Sequence, residues 1–101
     1  MNIEKWNEAD GTLTERALCR KLEALGYRVN RYTYRPGTYF PEHTHYVDKI
    51  DAVLSGRFRM IVDGREMILE AGDWVNVPRG AIHSAEVVGK EPVVSLDATK
   101  D

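Results

Sequence analysis

With 101 residues, 43% of them hydrophobic and 30% charged, the chain has apolar material for one compact core and no room for a second domain. Its net charge of -2 and pI near 5.9 leave no electrostatic footprint for nucleic acid, and Arg57, Arg59 and Arg65 read as the solvated side of a sheet rather than a basic stripe. No run of about 20 apolar residues is present to cross a bilayer, and the start MNIEKWNEAD lacks a basic run followed by an apolar one, so a cytoplasmic protein with neither nucleic-acid nor membrane partners is expected.

Residues 1–11 are polar and read as an extended arm, with Trp6 able to anchor it to a core or to a partner subunit. Residues 12–26 read as a helix. Thr12 and Glu15 form a capping box, Leu18, Leu22 and Leu25 recur along one stripe, and Gly26 is placed for a left-handed C-terminal cap. Glu15, Arg16, Arg20, Lys21 and Glu23 give this helix a solvated face, so it is expected to pack across an edge of a barrel formed by residues 27–101. Cys19, the sole cysteine, falls mid-helix and reads as structural. One helix cannot make a helix-turn-helix.

From Tyr27 onward the pattern is that of strands. Residues 27–34 are aromatic and β-branched, and Pro36-Gly37 marks a turn. Phe58, Met60 and Val62 alternate with outward residues, Asp63-Gly64 supplies a two-residue hairpin, and residues 65–69 return. Further strands are expected at 74–77, 82–88 and 92–96, punctuated by Ala71-Gly72-Asp73 and Pro78-Arg79-Gly80. Short, regularly spaced strands behind one helix indicate an all-β closed antiparallel barrel. Its edges, at 27–34 or 92–96, invite pairing with a second copy, and a homodimer is expected.

All three histidines fall in two glycine-anchored segments. The first runs Gly37, five residues, His43, Thr44, His45, three residues, Lys49, six residues, Gly56; the second runs Gly72, five residues, Pro78, Arg79, Gly80, two residues, His83. In a strand, His43 and His45 would project from one face about 6.6 Å apart, close enough to share an ion. His83, from a facing strand, would complete three ligands with positions left open for water or substrate.

These two segments resemble the paired motifs of the cupin superfamily, in which Gly, five residues, His-x-His, three or four residues, Glu, six residues, Gly is followed by Gly, five residues, Pro-x-Gly, two residues, His. The resemblance implies a double-stranded β-helix (jelly-roll) barrel preceded here by one helix. It also implies one divalent ion, zinc, iron, nickel or manganese, at His43, His45 and His83. Two positions depart from the pattern: Lys49 replaces the glutamate, and Val87 stands where the second motif usually closes with Asn.

An ammonium has no acceptor and cannot replace a carboxylate ligand. By the parity of a single strand Lys49 and Asp51 would share a face with His43 and His45, and Asp48 would not. Three arrangements are open. Lys49 could meet an anionic ligand beside a three-histidine centre and be a catalytic candidate; Asp48 or Asp51 could complete the coordination; or Lys49 could pair with Asp51 in a barrel without metal. Tyr39, Phe40, Tyr46 and Trp74 are candidates to wall a small-molecule pocket, or to pack the core. The expected function is therefore a metal-binding cupin that binds or transforms a small, anionic organic molecule, with dioxygenase chemistry among the options. The alternative is a non-enzymatic binding or sensor module.

Overall fold

In the computed structural model, which describes residues 2–101, every element after the helix is a strand. β1 (Glu4–Lys5) and a 3-10 turn (Glu8–Asp10) precede α1 (Glu15–Ala24). Then follow β2 (Arg28–Tyr34), β3 (Tyr39–His43), β4 (Asp48–Ser55), β5 (Arg57–Val62), β6 (Arg65–Leu69), β7 (Asp73–Val77), β8 (His83–Val88) and β9 (Val93–Lys100). The strands form two antiparallel sheets, ordered β1-β7-β4-β9-β2 and β3-β8-β5-β6, that face each other as a jelly roll. Among the described residues no helix is long and apolar enough to cross a membrane.

The central strands of the five-stranded sheet, β7, β4 and β9, are buried on both faces. Along β4, Val53 joins Phe58, Met60, Val62, Leu69, Val75 and Val77 between the sheets, while Ile50 and Ala52 join Leu18, Leu22, Trp74, Leu96 and Ala98 beneath α1. Period-2 alternation thus sends one set of β4 side chains into the barrel and the other under the helix. The outer face of the four-stranded sheet carries no such cover, and Ile61 and Ile68 are partly exposed there.

Three expectations about the frame change. The helix begins at Glu15, not at residue 12: Thr14 is its N-cap, and its hydroxyl accepts from Ala17 N–H at 3.0 Å. Glu15 is then the first helical residue and cannot be the distal partner of a capping box starting at Thr12. The C-terminal end agrees with the reading, since Gly26 N–H bonds the Glu23 carbonyl and Tyr27 N–H the Leu22 carbonyl, the Schellman arrangement, but Leu25 is left exposed as the C-cap. The arm pairs with β7, Glu4 opposite Trp74, and Trp6 packs on the cluster beneath α1. β9 lies between β4 and β2, so residues 92–96 form no edge; β2 does.

Candidate metal centre

His43 closes β3 and sits directly opposite His83, the first residue of β8. A bulge between Phe40 and His43 shifts the register, so residues three apart both reach the space between the sheets. His45 is not in that strand. It lies in the irregular stretch 44–47, where its carbonyl accepts from Gly80 N–H at 2.9 Å. The pair is therefore brought together by a strand end and a tethered loop, rather than by two positions of one strand. The ring centroids stand 4.1 Å apart for His43 and His83, 4.8 Å for His43 and His45, and 5.1 Å for His45 and His83.

The donor chemistry fits a divalent ion. His43 Nδ1 lies 2.7 Å from the Pro41 carbonyl and His83 Nδ1 lies 3.0 Å from the Ala81 carbonyl, in each case two residues back. A carbonyl only accepts, so each Nδ1 carries the proton and each Nε2 keeps its lone pair for a ligand. Burial pushes both His45 and His83 below the usual histidine pKa, and the Lys49 charge and the neighbouring rings push the same way; at His83 the Ala81 carbonyl opposes this, and Asp97 opposes it at both. These two rings are therefore neutral at pH 7, the form that binds metal. One nitrogen from each of the three rings lies within 4.8 Å of the others. Three nitrogens about 2.1 Å from one ion stand roughly 3.4 Å apart, so small rotations of the rings complete the set.

The rings border a cavity of about 210 Å³ whose other walls are Tyr34, Phe40, Lys49, Asp51, Phe58, Met60, Ala85 and Asp97. Three larger depressions hold no histidine: two surface grooves near 750 and 700 Å³ around Lys5 and Asp73, and one near 250 Å³ beside Tyr39 and Arg59. Tyr34, Phe40 and Phe58 pack against one another with centroids 4.9 to 6.3 Å apart, making the apolar side. Lys49 reaches the cavity, though not by the expected parity: the chain crosses from one sheet to the other between His43 and Asp48, and β4 restarts the alternation. Its Nζ lies 2.8 Å from each oxygen of Asp97, not against Asp51. Asp51 faces Asp97 in register across β4 and β9, and burial, with the Asp97 charge, pushes its pKa up to about 6. Asp48 accepts from Arg79 N–H and does not line the cavity.

Three aromatic candidates lie elsewhere. Tyr46 is 95% exposed, Tyr39 faces outward beside Arg59 and Glu86, and Trp74 is buried beneath α1 because even-numbered β7 and β4 positions point that way. Asp97, Tyr34, Phe58, Met60 and Ala85 line the cavity without having been singled out. The alternation on β5 signals Phe58 and Met60; only cross-strand register reveals Asp97.

A sequence model described as "Cupin domain" matches residues 30–99. No curated protein matches the chain by sequence. A protein of Thermus thermophilus is similar in structure at 28% identity, TM-score 0.64, covering 68% of this chain and 67% of that one. An RmlC-like cupin of Shewanella frigidimarina is similar at 25% identity, TM-score 0.66, covering 72% and 64%. The DMSP lyase DddQ of Ruegeria pomeroyi shares the fold at 24% identity, TM-score 0.67, covering 74% and 38%. The chain spans 56 to 64% of the length of three other solved structures it matches.

Proposed function

The chain belongs to the cupin family, and from that premise we propose that it binds or transforms a small organic molecule at one divalent ion held by His43, His45 and His83. The observation that carries this reading is the convergence of three imidazoles on the cavity wall, two of them fixed by backbone carbonyls so that Nε2 is free. When bound, the ion supplies Lewis-acid chemistry or, if redox-active, dioxygen chemistry. The chain's own residues do the rest. Tyr34, Phe40, Phe58 and Met60 exclude water and hold the apolar part of a ligand of roughly ten non-hydrogen atoms, the cavity falling below the volume of drug-sized sites. Asp51, able to hold a proton near neutral pH, is placed to exchange one with it. An anionic ligand is received at the ion rather than by Lys49, whose charge is already matched by Asp97.

A second reading, binding without turnover, is favoured by one observation: among the described residues Asp51 is the only cavity carboxyl outside an ion pair. Metal analysis of protein purified without a polyhistidine tag tests the shared premise, with one ion per chain expected and loss of that ion on His43→Ala or His83→Ala. Metal-free protein that takes up no zinc, iron, nickel or manganese overturns it. An oxygen-uptake and substrate screen on the loaded protein then separates turnover from binding. We further propose a cytoplasmic homodimer formed at the free β2 edge, for which light scattering should give twice the 11.5 kDa chain mass; a monomer mass refutes it.

A further inference from the structure

A fixed ammonium beside a divalent-ion site opposes the ion, and Lys49 stands in the same cavity wall as the three histidines. It is almost enclosed, its side chain 10% exposed, so water does little to screen it. One carboxylate pairs with it directly, while Asp51, in the same cavity, feels its charge and has its pKa pushed up by burial and by Asp97. Asp97 comes from the neighbouring strand β9, and both of its oxygens lie 2.8 Å from Lys49 Nζ. This carboxylate is itself only 20% exposed, it lines the same cavity, and its charge also acts on His45, His83, Tyr34 and Asp51. The arrangement differs from a ligand set in which a carboxylate touches the ion: here the position that would supply one carries a cation, and the negative charge has moved across the sheet to cancel it.

We propose that Asp97 is the positioning residue that makes a divalent ion compatible with Lys49, acting through the ion pair and never touching the ion. The proposal rests on the reading of His43, His45 and His83 as ligands. It assigns to Lys49 and Asp97 together one electrostatic role, a neutral block facing the histidines, in which each charge offsets the effect of the other on the ion. The cost of separating them falls on the ion: with Asp97 removed, the uncancelled ammonium repels it; with Lys49 removed, the uncancelled carboxylate attracts it.

The test is a double-mutant cycle read by cobalt(II) and zinc affinity, with the cobalt absorption spectrum reporting the donor set. Asp97→Asn should weaken binding at least tenfold, and Lys49→Met should tighten it by a similar factor. The double variant Lys49→Met, Asp97→Asn should return within about threefold of the wild type, with an unchanged cobalt spectrum. That rescue distinguishes charge from mere structure, because a packing defect at Asp97 would persist in the double variant. Should Asp97→Asn fail to fold, Lys49→Met and the double variant still decide the matter. Wild-type affinity in Asp97→Asn, or a double variant as weak as Asp97→Asn, overturns the proposal while leaving the metal site intact. A wild type that takes up neither ion overturns the metal site itself, and this proposal with it.

Discussion

Asp51 is a carboxyl 8% exposed, with another carboxylate opposite it in register, and its pKa of about 6 has a consequence for stability. The folded value lies above the ordinary 3.8, so the folded state holds the proton more tightly than the unfolded one. The associated stability is complete below pH 3.8 and lost as pH rises through 6. Asp51→Asn should therefore stabilise the metal-free protein at pH 8 by about 2–3 kcal/mol and leave it unchanged near pH 4, as chemical denaturation at the two pH values would show. Equal gains at both would mean that burial, rather than ionisation, sets the effect. At this scale the histidines were legible because each sits at a fixed distance from a glycine. Lys49 and Asp51 were assigned to the cavity by a parity argument whose premise, one continuous strand from 43 to 51, the structure replaces with a change of sheet. Asp97 was not legible, because a partner across a strand pair depends on register, which no local pattern records.

Among the elements, two glycines with nearly equal φ do different work. Gly80 (φ +81) would meet nothing with an added Cβ, and its role is to aim an N–H at the His45 carbonyl. Gly56 (φ +84) lies against β9, where a Cβ would come 2.3 Å from the Pro92 carbonyl oxygen and 3.0 Å from Val93 Cα, both backbone atoms that cannot turn aside. Gly80→Ala should cost about 1 kcal/mol, the conformational penalty alone, and Gly56→Ala about 3 kcal/mol or more. Thermal or denaturant unfolding would compare them, and an equal cost would show that the β9 backbone yields. Turns and alternating strands were well marked in the sequence: the Asp63-Gly64 hairpin has positive φ at both residues, as a type I′ turn requires. β4 was harder to see, because burial on both faces erases the apolar-polar alternation. Trp74 was misplaced for a related reason, since a strand covered on both sides offers two cores and sequence does not say which face meets the helix.

Across the whole molecule the jelly roll and its family were legible from motif spacing, whereas the division of the interior into two clusters was not. That division separates the cavity's components. His43 and His83 belong to the four-stranded sheet and His45 to the loop that extends β3, while Lys49, Asp51 and Asp97 belong to the five-stranded sheet clamped between α1 and the barrel interior. One half of the cavity is thus mounted on a wall braced from behind, and the other on a wall with only solvent behind it. Amide hydrogen exchange should follow this asymmetry, slowest in β4 and β9 and faster in β3 and β6, because opening of the unbraced sheet exposes fewer apolar contacts. An ion that gathers three rings at the top of that sheet then works as a cross-tie, drawing the loop, β3 and β8 into a single cooperative unit. Loading should slow exchange around His43 and His83 while β4 and β9 keep their metal-free rates; uniform protection of both sheets would instead mean that the barrel opens only as a whole.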